Sequence, residues 1–267
     1  MNLPETKTLL TSFDKGVLHV TLNRPETRNA MSPEMVAEIE AVTAAVVAGE
    51  VRAMVLRGAG GHFCAGGDLK SMMGGLQAPK PGEPDGIAVF NRAFGAMLRK
   101  VSQAPTVVIA VCEGAVMGGG FGLACVSDIA LAHVDAKFGL PETTRGLPPA
   151  QIAPFVVERV GLTQARRLAL TGAQFKGAEA LRLGLVHDTF ASDEELNTKL
   201  GETLKQVLNC APSANAVTKR IVLETARADI DTVLDEAAKD FAACVRGPEA
   251  PEGITAFMQK RAPKWAQ

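Results

Sequence analysis

The first half of the 267-residue chain alternates short apolar runs with longer amphipathic segments. Apolar and polar positions alternate over residues 16–22 (GVLHVTL), which predicts a strand that follows an earlier strand at 8–13 (TLLTSF). Continuous apolar runs at 51–58 (VRAMVLRG) and 106–111 (TVVIAV) are typical of strands in a sheet covered on both faces. Strands that alternate with helices predict an α/β core.

Helical spacing of apolar residues appears between these strands. Ser32 is a predicted N-cap, with Pro33 at the first helical position and a helix over 35–47 (MVAEIEAVTAAVV). A second amphipathic helix is predicted at 87–103 (IAVFNRAFGAMLRKVSQ). Residues 74–86 are rich in Pro and Gly and predict a mobile loop.

The pattern becomes mainly helical after about residue 150. One short strand is predicted within this part, at 184–190 (GLVHDTF), and a helix is predicted to begin at 161 (GLTQARRLALTG). We therefore divide the chain into a core, residues 1–195, and a C-terminal helical region, residues 196–267.

Composition and charge exclude several classes of protein. Hydrophobic residues make up 47% and charged residues 21%, so the chain can bury a full core. The net charge of -1, and a first helix without Lys or Arg, argue against nucleic-acid binding, which depends on phosphate neutralisation. Five cysteines at irregular spacing, no signal-peptide pattern and no apolar run near ~20 residues predict a cytoplasmic protein without a membrane span.

Two glycine-rich loops each follow a predicted buried strand, at 58–69 (GAGGHFCAGGDL) and at 113–124 (EGAVMGGGFGLA). Glycine allows a backbone to approach a ligand closely, and a free N–H at a helix start suits an anion. Two such N–H groups that converge from separate loops would form an oxyanion hole. Each loop taken alone is equally typical of close packing at a strand-to-helix junction.

Four motifs in register resemble the crotonase superfamily, the enoyl-CoA hydratase/isomerase family. They are NRPETRNAMS (23–32), FCAGGDL (63–69), AVMGGGFGLACVSDIALA (115–132) and AKFGLPE (136–142). The resemblance extends from about residue 8 to residue 264. It implies a crotonase-like spiral of ββα units with a C-terminal helical region.

The resemblance also implies that the substrate is a thioester of coenzyme A. The N–H groups of Gly67 and Gly119 would bind its carbonyl oxygen, and the neighbouring Ala65, Gly66 and Gly118 would contact the substrate. Fixed donors of this kind stabilise the enolate oxygen as charge develops, and the loss of one typically costs ~2.7–4 kcal/mol of barrier.

Glu142, in the F-G-x-x-E turn, is the acid/base candidate that the resemblance places at the substrate's α-carbon. Burial among apolar residues would raise its pKa and help it to act at neutral pH. Many hydratases of the family carry a second glutamate at the position of Gly122. Without it, water could be oriented by the hydroxyls of Thr143 and Thr144, by a backbone carbonyl or by a carboxylate of the substrate.

Contacts to the CoA moiety are also implied by the resemblance, since cationic side chains suit phosphate oxygens. Asp68 lies beside the first oxyanion loop, where a structural role fits as well. The C-terminal candidates would reach CoA from a neighbouring subunit of a homo-trimer or hexamer. The CoA-binding candidates are Arg24, Arg28, Lys70, Phe257 and Lys260. No metal cluster or redox cofactor is expected, because coenzyme A is part of the substrate.

The segment after Glu142, 143–161 (TTRGLPPAQIAPFVVERVG), lacks the glycine cluster of most hydratases. It resembles the bacterial branch of the family that acts on branched glutaconyl-CoA esters. This implies a hydratase for isohexenylglutaconyl-CoA of acyclic terpene degradation, with 3-methylglutaconyl-CoA as the next choice. The 74–86 loop, with Met72 and Met73 beside it, would line a tunnel for the isohexenyl arm.

Two alternatives remain open at this point. A Δ3,Δ2-enoyl-CoA isomerase needs one base to shuttle a proton, and Glu142 alone would suffice. A catalytically silent binder of CoA esters is the other alternative, because Gly122 replaces a carboxylate.

Overall fold

The computed structural model describes residues 2–68, 79–80 and 82–266. Within these ranges strands and helices alternate, as the α/β prediction expects, and the strands form two sheets. The strands are β1 (Leu9–Asp14), β2 (Val17–Leu22), β3 (Ala53–Gly58), β4 (Val107–Cys112), β5 (Ala115–Met117), β6 (Ile129–His133), β7 (Lys137–Gly139), β8 (Gln174–Lys176) and β9 (Asp188–Phe190).

Helices cover the sheets and form most of the C-terminal part of the chain. They are α1 (Pro33–Ala44), α2 (Gly86–Ser102), α3 (Gly119–Val126), α4 (Ala153–Thr171), α5 (Gly177–Arg182), α6 (Asp193–Asn209), α7 (Pro212–Glu224), α8 (Ile230–Arg246) and α9 (Glu249–Met258). A short 3-10 helix, Pro141–Arg145, follows β7.

The larger sheet has the strand order β1-β2-β3-β4-β6-β9. The β1–β2 pair is antiparallel and the remaining pairs are parallel, with Val17 opposite Ala53 and Ala53 opposite Val107. The smaller sheet has the order β5-β7-β8. Because β3 and β4 are parallel neighbours, the two glycine-rich loops leave the same edge of the larger sheet.

Local signals position the first two helices as the sequence predicts. The Ser32 hydroxyl accepts a hydrogen bond from the Met35 N–H at 3.2 Å, and Pro33 is the first residue of α1. In α2, the Asp85 carboxylate accepts from the N–H of Ile87 at 2.8 Å. Side-chain acceptors of this kind satisfy N–H groups that have no partner inside the helix.

The sequence interpretation missed other features. The smaller sheet was not predicted, since its strands are only three residues long and carry little periodicity. The helix expected to begin at Gly161 is the second part of α4, which is interrupted there by a backbone with φ 76° and ψ 157°. The predicted strand at 184–190 is shorter, because only Asp188–Phe190 pairs with β6.

Polar contacts attach the C-terminal helices to the core. The Arg52 guanidinium, just before β3, donates to the carbonyls of Trp265, Leu208 and Cys210. The Lys219 ammonium on α7 donates to Asp128 at 2.7 Å. The boundary between residues 195 and 196 stays a prediction.

Two further observations concern the chain as a whole. None of the helices in the described ranges has the length and apolar composition that crossing a membrane requires. The cysteines are free thiols, and those at 64, 112 and 125 are buried. Met72, Met73 and residues 74–78 and 81 of the predicted 74–86 loop lie outside the described residues.

Candidate active site

The two glycine-rich loops lie against each other. Cys64 forms a parallel bridge with β5, in which its N–H donates to the Ala115 carbonyl at 2.8 Å and its carbonyl accepts from the Met117 N–H at 2.9 Å. A Cβ atom placed on Gly66 would lie 3.9 Å from the Gly118 Cα. The first loop therefore runs alongside the strand that leads into the triple glycine.

The two predicted oxyanion donors, Gly67 and Gly119, have unused N–H groups. Gly67 lies between Gly66, whose carbonyl accepts from the Met31 N–H at 2.8 Å, and Asp68, whose N–H donates to the Met31 carbonyl at 2.9 Å. Gly119 is the first residue of α3, where an N–H has no acceptor inside the helix. Neither N–H donates to any residue that the structure describes.

Gly118 must be a glycine for two reasons. Its φ of 49° and ψ of -111° are rarely adopted by other residues. A Cβ atom there would lie 2.5 Å from Glu142 Oε1 and 3.5 Å from the Gly66 Cα. The carboxylate of Glu142 thus lies directly beside the second glycine-rich loop.

Glu142 has the properties of a general acid or base. Its Oε2 atom is buried and has no hydrogen-bond partner among the described residues. Burial raises the pKa of this carboxyl group, and the charge of Arg145 opposes part of that effect. A carboxyl group with a raised pKa exchanges protons more readily at neutral pH than an exposed one does.

The hydroxyls of Thr143 and Thr144, which we expected to help orient water, are used by the turn itself. The Thr144 hydroxyl donates to the Pro141 carbonyl at 2.7 Å, and the Thr143 hydroxyl donates to the Ala169 carbonyl at 3.0 Å. Neither residue lines the cavity described below. These bonds position the Glu142 backbone, so the expectation for the two hydroxyls is wrong.

The position of Gly122 leaves no room for a second carboxylate as the protein is packed. A Cβ atom there would lie 3.2 Å from Leu98 Cδ1 and 3.4 Å from both Ile152 γ carbons. Apolar side chains from α2 and from the segment before α4 occupy the place to which a longer side chain would extend.

A cavity of about 380 Å³ joins these groups. It contains the predicted Ala65, Gly66, Gly67, Gly118, Gly119 and Glu142. Its other carboxylate, Asp85, is already used to cap α2. The remaining lining residues are Met31, Ile87, Ala88, Phe90, Asn91, Phe94, Pro141, Arg145, Leu147, Pro148, Pro149, Ala150, Gln151 and Ile152.

Sequence reasoning did not single out Asn91, Arg145 or Gln151 as site residues. Asn91 follows the helical pattern of 87–103, and Arg145 and Gln151 lie in the segment after Glu142 that differs from most hydratases. The unusual sequence of this segment was the signal that could have pointed to Arg145 and Gln151. The sequence did not reveal which side chains of the segment face the cavity, because this depends on how the segment packs against α2.

The described CoA-binding candidates Arg24, Arg28, Phe257 and Lys260 do not line this cavity in the single chain. The Arg24 guanidinium donates to Asp68 at 3.1 Å and to the Ala30 carbonyl at 2.7 Å, so both side chains stabilise the loop. Arg28 has a left-handed φ of 52°. Phe257 is 84% exposed, and neither it nor Lys260 is among the described residues that line the cavity. Lys70 lies outside the described residues.

Two other reactive side chains, Glu113 and Cys64, are not suited to catalysis. The Glu113 carboxylate accepts a hydrogen bond from the Arg57 guanidinium at 2.7 Å, which is a structural role. Burial raises the pKa of the Cys64 thiol to about 12, which makes it a poor nucleophile. In the part of the chain that the structure describes, no group of His, Cys, Asp and Glu side chains is arranged to hold a metal ion.

Comparisons with known proteins agree with this geometry. The family model described as Enoyl-CoA hydratase/isomerase matches residues 12–267. The structure of Pseudomonas aeruginosa AtuE superposes with a TM-score of 0.93 at 56% sequence identity, covering 98% of this chain and 100% of that one. This likeness in fold and order of elements shows the crotonase fold predicted from the four motifs.

Curated relatives include both hydratases and isomerases. The short-chain-enoyl-CoA hydratase of Clostridium acetobutylicum is 31% identical, over 96% of this chain and 97% of its own length. The peroxisomal Δ(3,5)-Δ(2,4)-dienoyl-CoA isomerase of Arabidopsis thaliana is 30% identical, over 95% of this chain and 94% of its own length.

Proposed function

Because the chain belongs to the enoyl-CoA hydratase/isomerase family, we propose that it hydrates a branched glutaconyl-type enoyl-CoA thioester, as a carbon–oxygen lyase. The proposed substrate is isohexenylglutaconyl-CoA, an intermediate of acyclic terpene degradation. The single observation that carries a proton-transfer reaction on a thioester is the cavity shared by the free Gly67 and Gly119 N–H groups and the Glu142 carboxylate, whose Oε2 atom has no hydrogen-bond partner among the described residues.

These groups match the needs of hydration. The two N–H groups donate hydrogen bonds to the thioester carbonyl oxygen and stabilise it as the enolate forms. Glu142 exchanges a proton at the α-carbon, with a pKa that its burial raises toward the working range. No cofactor is proposed, since coenzyme A enters as part of the substrate.

Arg145 supports a substrate that carries a second, free carboxylate. It lines the cavity, is exposed, and forms no hydrogen bond or ion pair with any residue that the structure describes. A guanidinium in this state suits a carboxylate, with which it can form two parallel hydrogen bonds. A glutaconyl group has such a carboxylate, whereas a simple straight-chain enoyl group does not.

The apolar part of the cavity supports a branched hydrocarbon arm. Phe90 and Phe94 on α2 line it together with Leu147 and Ile152. Apolar side chains of this size stabilise a bound alkyl chain by removing it from water. 3-Methylglutaconyl-CoA, which lacks a long arm, would leave this surface uncovered and is the next candidate.

The test is the mass of the product formed from isohexenylglutaconyl-CoA in 18O-labelled water. We expect one labelled oxygen in a 3-hydroxyacyl product. Far better turnover of 3-methylglutaconyl-CoA would contradict the isohexenyl substrate but not hydration.

A Δ3,Δ2-enoyl-CoA isomerase is the second candidate function. The apolar packing around Gly122 favours it, because Glu142 is then the one cavity carboxylate among the described residues that no helix cap uses. Isomerisation needs only one base to move a proton between two carbons. Absence of 18O in the product, with deuterium entering from heavy water, would replace hydration by isomerisation.

A silent binder of CoA esters is the remaining alternative. It predicts that no CoA ester is turned over and that exchange of Glu142 by Gln changes binding alone. The unpaired Oε2 atom of Glu142 supports an enzyme over a binder, because an unsatisfied buried carboxylate reduces stability and a catalytic role accounts for keeping it.

We also propose a homo-trimer or hexamer, in which C-terminal residues of one subunit contact the CoA of the next. The exposed positions of Phe257 and Lys260, away from the cavity of their own chain, support this arrangement. Arg24, Arg28 and Lys70 are proposed for the phosphates. A cytoplasmic location and the absence of nucleic-acid partners remain predictions from the sequence.

A further inference from the structure

The hydration step requires a group that holds the attacking water. An ordered water needs two to four polar partners. The Thr143 and Thr144 hydroxyls donate to backbone carbonyls, and the space at Gly122 is filled by Leu98 and Ile152. The other polar side chains of the cavity are the remaining side-chain candidates, beside a backbone carbonyl or a carboxylate of the substrate.

Gln151 is held at the cavity by a glycine in the middle of α2. A Cβ atom on Gly95 would overlap Gln151 Oε1 and would lie 2.9 Å from Gln151 Cδ. A glycine inside a helix destabilises that helix relative to alanine. At Gly95 the absence of a side chain leaves the space in which the amide of Gln151 lies.

A second amide lies next to this one. Asn91 is four residues before Gly95 in α2 and therefore on the same face of the helix, and it lines the same cavity. Neither Asn91 nor Gln151 forms a side-chain hydrogen bond with any residue in the described ranges. Both amides line the cavity with donors and acceptors that no described side chain uses, so they are available to bind a polar species there.

The location of these amides relates them to the missing glutamate. Ile152, the next residue in the chain, provides the atoms closest to a Cβ on Gly122 together with Leu98. Gln151 and Glu142 both line the cavity, and Gln151 is the chain neighbour of Ile152, which packs at Gly122.

We infer that Gln151 is the positioning residue for the attacking water, with Asn91 beside it; this rests on the proposed hydration. The Gln151 carbonyl oxygen accepts one O–H of the water, and Glu142 accepts the other. The water oxygen bonds to C3 while its proton moves to Glu142. The π electron pair moves to the thioester oxygen, which the N–H groups of Gly67 and Gly119 bind.

The same proton completes the reaction. Glu142 gives it to C2 as the enolate collapses, so that one water has been added and Glu142 is again ionised. Gln151 neither gains nor loses a proton. Its amide supplies orientation alone, which is why a group that does not titrate can take the place of a carboxylate.

The experiment compares Gln151→Met with the wild type in two reactions. The first is hydration of isohexenylglutaconyl-CoA, followed by 18O incorporation. The second is deuterium exchange at the α-carbon of butanoyl-CoA in heavy water, which needs Glu142 and the two N–H groups but no attacking water. We expect kcat for hydration to fall on the order of 100-fold, as for a misplaced reactant, with KM and the exchange rate nearly unchanged.

Two further variants separate orientation from structure. Gln151→Glu keeps an acceptor oxygen and is expected to recover at least about a tenth of the wild-type hydration rate. Gly95→Ala moves the amide without deleting it, since the overlapping atom is the end of a flexible side chain, and should also slow hydration while leaving exchange intact. Gln103→Met, at the exposed end of α2, is the matched control and should behave as the wild type.

The outcomes distinguish this inference from the proposed function. Suppose that the wild type incorporates 18O. If Gln151→Met then hydrates as well as the wild type, or if this variant loses hydration and exchange in parallel, the role of Gln151 is wrong and the proposed hydration stands. If the wild type exchanges deuterium but never incorporates 18O, hydration itself is wrong and the role of Gln151 falls with it.

Discussion

At the scale of the residue, the burial that suits Glu142 to proton transfer also destabilises the folded protein when the carboxyl group is ionised. Burial raises the pKa of its carboxyl group above the ordinary value of 4.5, so the folded protein disfavours the ionised form. A group with a raised pKa in the folded state contributes stability that is present at low pH and is lost as the pH rises through that pKa. At neutral pH the ionised carboxylate therefore lowers the free energy of unfolding.

Exchange of Glu142 by Gln should separate these two effects. We expect turnover to fall by about 10²–10⁴-fold, because the proton acceptor is lost. The variant should be at least as stable as the wild type at pH 7–8, and the difference should vanish toward pH 4.5. Urea unfolding at several pH values measures this; a variant that is less stable at neutral pH would contradict the buried-charge argument.

Arg145 should affect only substrates that carry a second carboxylate. For Arg145→Met we expect the KM for isohexenylglutaconyl-CoA to rise on the order of 10-fold, since one charge-assisted interaction is lost. The KM for crotonyl-CoA should stay the same, and this also controls for the effect of Arg145 on the pKa of Glu142. Arg166→Met, exposed on α4, is the matched variant outside the cavity. Equal losses on both substrates would rule out carboxylate recognition.

At the scale of the element, the site depends on contacts between segments that are distant in the chain. The loop after β3 lies along β5 because Cys64 pairs with Ala115 and Met117. The predicted boundary between core and C-terminal region is crossed by Arg52, which donates to carbonyls near the end of α6 and of the chain. A single guanidinium thus satisfies three carbonyls that helices leave without partners.

Arg52→Met should weaken this junction. We expect the free energy of unfolding to fall on the order of 3 kcal/mol, because charge-assisted hydrogen bonds are lost and carbonyls are left unsatisfied. Arg52→Lys, which can keep one bond, should lie between the two. Arg99→Met on exposed α2 surface is the control. An unchanged urea midpoint for Arg52→Met would show that the C-terminal helices are held by apolar packing alone.

At the scale of the whole molecule, the C-terminal helices expose apolar surface that a monomer does not need. Along α8, the side chains of Ile230, Leu234, Phe241 and Val245 are 59%, 59%, 72% and 48% exposed. Their spacing places them on one stripe of the helix. A continuous apolar stripe exposed in the single chain is typical of a surface that another subunit covers.

A charge on this stripe should prevent assembly. We expect Phe241→Asp to shift the mass measured by light scattering from trimer or hexamer toward monomer, because a carboxylate cannot be buried there without a partner. Lys239→Gln makes the same change of net charge on the opposite face of α8 and should leave the mass unchanged. A monomeric wild type, or an intact oligomer of Phe241→Asp, would contradict the proposed assembly.

What the sequence determines by itself is local in origin. The Ser32 cap, the strands around residues 16–22 and 51–58, and the long helices follow from periodicity and from side-chain acceptors close in the chain. The glycine-rich loops and Glu142 were identified as candidates because their motifs are contiguous. The smaller sheet was not, because strands of three residues are stabilised by pairing with distant partners.

Only the tertiary structure decided which side chains share the cavity. Thr143 lies next to Glu142 in the chain yet donates to α4, whereas Gln151 reaches the cavity because Gly95 on another helix makes room for it. The space at Gly122 is closed by side chains from two different segments. These relations depend on the packing of elements that are far apart in the chain, and no local pattern of residues contains that information.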